Sequence, residues 1–364
     1  MADDAVRFAE RILELIDSAH MASTYKMATL MALIDVVGES VNRDGAPPTS
    51  VSGKQVARRV IELYWPQTAA WAAGDEQPRH LRQAPQRDIA RRLAEYRSSH
   101  QLGARASLAE ARAADPSAWQ RLEDSLVATV LKMPIPRLQN VPIGNRATDD
   151  RFIYDFDWRD EEADGRLMAD GFDDRLHLKP GVGSHLVRLA PLVRPAIQMR
   201  WADYVARRNA DLIGELQLGE FLFGADRINL DPIRAPLLDL QQGRCFYCGT
   251  RIAASAEVDH FVPWSLRPDN LLDNLVAADR RCNGAKSAAL ASTQHLESWM
   301  ARSTDGTIDE IARATDWPRN RDRTVGNVRA SYLVLRSGAA LWVEGRNFEP
   351  ADTDAIRNVL ARSA

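Results

Sequence analysis

Cys245 and Cys248 form a Cys-x2-Cys pair, and Cys282 is the one other cysteine in the 364-residue chain. Two thiolates at that spacing reach a single ion without strain, as in a zinc knuckle, and Gly249 just past the pair suits a tight turn. Three cysteines do not make a disulfide framework, so in a reducing compartment the pattern favours metal. Asp279 stands three residues before Cys282. On a helix predicted over about 275–290 the two share a face and can reach one ion. The expectation is therefore a structural Zn2+ held by Cys245, Cys248, Cys282 and Asp279. The alternative is a buried, reduced cysteine pair with an unrelated third cysteine.

Asp259 and His260 lie between the two parts of that set, flanked by Val258, Phe261 and Val262, a mix that suits a short β-hairpin. Neighbouring strand residues point to opposite faces. Asp259 can then turn to a metal while His260 faces a substrate, or both can share the mouth of one cleft. A neutral imidazole accepts a proton from water near physiological pH, which makes His260 a candidate general base. By itself an Asp-His pair carries little, since a surface histidine beside a carboxylate is common.

These residues need elements to hold them. Residues 1 to about 135 read as helices: Ser23 or Thr24 can cap a segment with Met27, Leu30, Met31 and Ile34 at helical spacing. A second helix carries Val56, Val60, Ile61 and Tyr64 and stops at Pro66. Residues 74–87 are a polar connection; helices resume at DIARRLAEYRSS and from Pro116. Residues 151–158 alternate as a strand does, an acidic loop follows, and a long helix is predicted over 184–211. Beyond the cysteine segment come helices near 293–301, 307–315 and 323–337, a short strand ALWVEG, and a helix from about 351.

Taken together, residues 240–290 resemble the HNH endonucleases, the ββα-metal family. That family's run of Cys-x2-Cys, Asp-His-x2-Pro, Asn-Leu and Cys-x2-Cys-Asn-x2-Lys is met here by CFYC, DHFVP, DNLV and DRRCNGAK. From His260 the order His-x13-Asn-x8-Asn-x2-Lys is similar to the catalytic core of the HNH domain of RNA-guided DNA endonucleases. The resemblance implies that His260 activates water and that Asp259 and Asn283 hold a catalytic divalent ion, Mg2+ or Mn2+. It implies that Asn274 holds the hairpin loop and the histidine ring, and that Lys286 meets a phosphate oxygen or the leaving group. Arg280 and Arg281, beside these helix residues, are expected phosphate contacts. Two departures stand out: Asp279 replaces a zinc-ligating cysteine, and Asn283 makes this an HNN variant.

The expected architecture is mainly α: a helical N-terminal domain (1–215), a small ββα-metal (HNH) nuclease module (216–300) and a helical C-terminal extension (301–364). The expected activity is metal-dependent hydrolysis of phosphodiester bonds in DNA. By analogy with the family it serves bacterial antiphage defence or restriction, alongside a companion defence-system protein. The rivals are a zinc-stapled nucleic-acid-binding protein without catalysis and a nuclease directed at RNA. A net charge of −3 gives no global attraction to a polyanion, so binding must use local basic patches. The arginines at 79, 82, 87, 91, 92 and 97 are one such patch, though a solvated helix face explains them as well. His20, His80, His100, His177, His185 and His295 lack ligand-spaced partners and read as surface or packing residues. No apolar run has transmembrane length, and the amphipathic, acidic start is unlike a secretory signal; the expected location is the cytoplasm without membrane association.

Overall fold

The protein, described by a computed structural model, is mainly α-helical with small sheets. The structure describes residues 2–17, 23–70, 80–84, 89–143, 146–159, 162, 164–210, 218–223, 229–252, 256–302 and 306–362. It divides into two compact units: residues 1–37 with 48–228, and residues 38–47 with 229–364.

The first unit begins with α1 (Ala2–Asp17) and α2 (Tyr25–Glu39), whose last two residues belong to the second unit. Tyr25 N donates to Ser23 Oγ at the start of α2. Strand β1 (Ser50–Ser52) runs into α3 (Gly53–Tyr64), capped by the Ser52 hydroxyl; the helix stops ahead of Pro66, as expected, and a 3-10 segment (Trp65–Thr68) follows. Helices α4 (Ile89–Ser99), α5 (Leu108–Ala114), α6 (Pro116–Lys132) and α7 (Pro134–Arg137) follow, with Pro116 at the first position of α6. The 151–158 segment supplies only the two-residue β4 (Tyr154–Asp155), after the β2–β3 hairpin (Asn140–Ile143, Arg146–Asp149). Helix α8 (Asp164–Leu167) precedes β5 (Arg175–Leu178), which pairs with both β1 and β4. The long α9 (Val182–Arg208) contains Pro191 and Pro195 in its interior, and α10 (Leu218–Phe223) closes the described part of this unit.

The described arginines of the 79–97 cluster have differing surroundings. Arg97 is buried over the Trp65 ring and bonded to Thr68 Oγ1 at 2.8 Å, Arg92 reaches Ser125, and Arg91 pairs with Glu95. Arg79, Arg87 and His20 lie outside the described residues, as does most of the 74–87 connection.

The second unit opens with α11 (Asp231–Leu240) and a cysteine turn, then β6 (Glu257–His260), β7 (Leu275–Ala278) and α12 (Arg280–Lys286). Strands β6 and β7 pair antiparallel, with Asp259 opposite Val276 and His260 opposite Leu275. The helix expected from 275 begins at 280, because Leu275–Ala278 is wholly buried and its backbone is taken by the ladder. Apolar residues alone do not separate a short buried strand from a helix. Helices α13 (Thr293–Ala301), α14 (Thr307–Thr315) and α15 (Arg321–Tyr332), the β8–β9 hairpin (Ala340–Glu344, Asn347–Pro350) and α16 (Thr353–Ala361) complete the unit.

One core joins these pieces. Cys245, Tyr247, Phe261 and Val276 pack with Trp299, Tyr332, Trp342 and Ile356, so residues far beyond 300 share the interior of the ββα element. The Phe261 and Trp299 rings stack with centroids 5.1 Å apart. The 38–47 segment belongs to the same unit, and Gly326 lets α15 approach it: a Cβ there would lie 1.8 Å from Glu39 O.

Candidate functional site

The cysteine turn is built by backbone bonds. Cys245 N donates to Thr250 O at 2.9 Å, Gly249 N donates to Cys245 O at 3.0 Å, and Gly249 takes a φ of +68°, where a glycine is at ease. Phe246 N bonds Ala277 O, which ties the turn to β7. Cys282 enters from α12, and the three sulfurs lie within 4.8 Å of one another. Thiolates around a tetrahedral Zn2+ at about 2.3 Å from each sulfur need such a spacing, so the residues fit the ion. Among the described residues this is the one cluster of its kind. Burial and the neighbouring thiols push the Cys282 pKa far up. Burial would also raise Cys248, but hydrogen bonds with Thr250, Cys282 and Cys245 bring it below its ordinary value.

Asp279, expected as a fourth ligand, is placed otherwise. Its carboxylate accepts from Arg281 N at 2.9 Å and caps α12, while its own N–H donates to Cys245 Sγ at 3.2 Å. The bond from Arg281 N, helped by the Arg281 side chain, holds the carboxyl below its usual range. The ligand group comprises the three thiols without it.

At the other end of β6, Asp259 and His260 are both buried. Asp259 Oδ2 accepts from Tyr247 OH at 2.5 Å and lies 2.9 Å from Lys286 Nζ. Lys286 also donates to His260 O at 2.8 Å, and its side chain has no exposed surface. The ammonium expected at a phosphate is thus turned inward, bracing two adjacent residues of β6. Burial lowers its pKa, with Asp259 opposing that effect. Burial and then the Asp259 charge push the Tyr247 phenol up, so it stays a donor.

The His260 imidazole meets Asn270 Oδ1 through Nε2 at 2.7 Å, with the Trp264 ring 5.4 Å away. Burial lowers its pKa; Asn270 and the Asp259 charge act in the other direction. A neutral ring at neutral pH is the form a general base needs.

Asn274 closes the loop between the strands. Its Oδ1 accepts from Val262 N at 2.9 Å, and its Nδ2 donates to Val262 O and Asp269 O at 3.1 and 3.0 Å. Phe261 N bonds Asn274 O at 2.8 Å. Asn283, on α12, donates from Nδ2 to Glu257 Oε2 at 2.8 Å, which leaves its Oδ1 for another partner. Arg280 and Arg281 stand at the start of α12 with side chains 87% and 89% exposed.

A strand bearing Asp-His, a partner strand, and a helix bearing Asn-x2-Lys beside a three-cysteine knuckle are now in place. A family model described as HNH endonuclease matches residues 245–292. A second, described as Domain of unknown function (DUF8808), matches residues 6–222, more than half of the chain. The chain belongs to this DUF8808 family. Its HNH segment is the ββα element with the knuckle. No curated protein and no solved structure matches the chain.

The HNH segment gathers three residues that spacing did not single out. Tyr247 sits inside the knuckle, and no pattern separates it from a packing aromatic. Glu257 precedes Asp259 by two, so strand alternation places both on one face, a signal that was legible. Asn270 lies in an irregular loop, and only the folded loop shows what it touches. Of the other histidines, His295 is a packing residue, its Nε2 3.2 Å from Tyr247 O and its Nδ1 2.9 Å from Ser292 Oγ. No helix among the described residues is long and apolar enough to cross a membrane.

Proposed function

We propose that this protein is a metal-dependent endonuclease that hydrolyses phosphodiester bonds in DNA through its HNH segment. The observation that supports it best is the tie between Asn283 and Glu257, which fastens the helix asparagine to the strand that carries Asp259 and His260.

Asp259, Asn283 and the nearby Glu257 offer carboxylate and amide oxygens, the donor set that suits Mg2+ or Mn2+ rather than Zn2+. Held there, such an ion would supply Lewis-acid polarisation of the phosphate and offset charge on the departing 3′ oxygen. The protein's own part is to deliver and position. His260, kept neutral by burial, takes the proton from the attacking water. Asn274 holds the loop that follows His260, and Lys286 fixes β6 by gripping the Asp259 carboxylate and the His260 carbonyl. Arg280 and Arg281 are free of burial and can meet backbone phosphates. The knuckle, tied to β7 by Phe246 and to α12 by Cys282, is structural.

A helical DUF8808 region ahead of a nuclease segment accords with a bacterial antiphage or restriction effector acting with a companion defence protein. Plaque formation by phages on cells with and without the intact chain tests that role. The substrate is tested by incubating labelled duplex DNA and labelled RNA together with the protein and Mg2+. Preferential loss of the DNA is expected; preferential loss of the RNA would transfer the reading to an RNA-directed nuclease. Retention of both, with binding, would favour a zinc-stapled binding protein.

A further inference from the structure

We propose that Asn270 is a further positioning residue, whose side-chain oxygen sets the tautomer of His260 and leaves Nδ1 as its basic nitrogen. The inference rests on the nuclease reading of this site, but its geometry stands by itself. Asn270 Oδ1 lies 2.7 Å from His260 Nε2. An amide oxygen has no proton to give, so the nitrogen facing it carries the hydrogen. A neutral imidazole has one N–H, and the lone pair is therefore on Nδ1. His260 is only 9% exposed, so bulk water is a poor substitute for that oxygen.

Asn270 is itself held from several sides. Its carbonyl accepts from Trp317 Nε1 at 2.9 Å. The next amide, Leu271 N, donates to Asp269 Oδ1 at 3.0 Å. Asp269 Oδ2 in turn accepts from Thr324 Oγ1 and Asn327 Nδ2, both on α15, at 3.0 and 3.2 Å. A chain of contacts thus runs from α15 through Asp269 and Asn270 to the imidazole. It gives residues beyond the matched HNH segment a part in its chemistry: they fix the loop that fixes the ring. An outer group that orients a histidine by bonding its second nitrogen is the general means of selecting a tautomer.

The full-length chain labelled with 15N-histidine reports the tautomer directly, with the His260 signal assigned by its loss in His260→Gln. The wild type is expected to show Nε2 protonated and Nδ1 bare. Asn270→Ala should give a mixture of tautomers and lower kcat on duplex DNA by about 10–100-fold, with KM little changed. Asn270→Asp keeps an oxygen acceptor and should restore both the tautomer and most of the rate. Wild-type His260 protonated on Nδ1 would overturn the proposal, as would an unchanged tautomer in Asn270→Ala. If the wild type cleaves nothing, the nuclease reading falls, and the tautomer spectra still decide whether Asn270 orients the ring.

Discussion

Lys286 Nζ lies 2.9 Å from Asp259 Oδ2, with the lysine side chain fully shielded from solvent and the aspartate nearly so. A buried pair of this kind is costly to break from one side, because the remaining charge is left without a partner. Lys286→Ala should destabilise the second unit by about 3–5 kcal/mol, read from denaturant or thermal unfolding. Pairing Lys286→Met with Asp259→Asn should recover much of that loss. A single substitution that costs under about 1 kcal/mol would show that the pair does not brace β6.

Zinc should copurify at about one ion per chain, since the three thiols match a single tetrahedral site. Cys248→Ser should lose it, and chelation should unfold the knuckle. Asp279→Asn preserves a good helix cap and is expected to keep the ion. Metal analysis that finds zinc lost from Asp279→Asn would return the aspartate to the ligand set.

Asn274 satisfies two backbone groups of Val262 and one of Asp269. Asn274→Ala leaves these buried groups unpaired at about 1–3 kcal/mol each before relaxation, so a net loss of about 2–4 kcal/mol is expected. Hydrogen exchange should localise the loosening to residues 261–274. Uniform exchange across the unit would contradict a local clasp.

His295 gives a pH dependence of stability. Burial sets its folded pKa below the ordinary value, with the Tyr247 carbonyl and the Glu349 charge opposing. The unfolded chain, with a histidine pKa of about 6.5, then binds the proton more readily. Stability is complete above that value and falls as pH drops through the window toward the folded pKa. Unfolding followed between pH 7.5 and 5 should show this decline, and His295→Gln should make it shallower, the remainder coming from His260, whose pKa burial also lowers. An identical slope in the variant would remove His295 as the cause.

The HNH segment was legible in the sequence because its residues are tied to fixed spacings on short elements. Cys245-x2-Cys248, Asp259-His260 and Asn283-x2-Lys286 each report a local geometry. What long-range packing decides was not legible. The apolar Leu275–Ala278 run carries no sign of strand rather than helix until β6 pairs with it. Lys286 reads as a solvent-facing cation by type, yet Asp259 and Tyr247 draw it into the interior. The extension past residue 300 reads as a separate cap, although Trp342 and Ile356 lie in the same core as Cys245 and Phe261. Asn270 acquires meaning only through its contact with His260.

Cleavage of supercoiled plasmid in Mg2+ by wild type and His260→Ala tests most directly whether His260 drives strand hydrolysis. Wild type should nick or linearise the plasmid, and His260→Ala should be slower by about 100-fold or more at unchanged zinc content. Equal cleavage by both proteins would contradict the account.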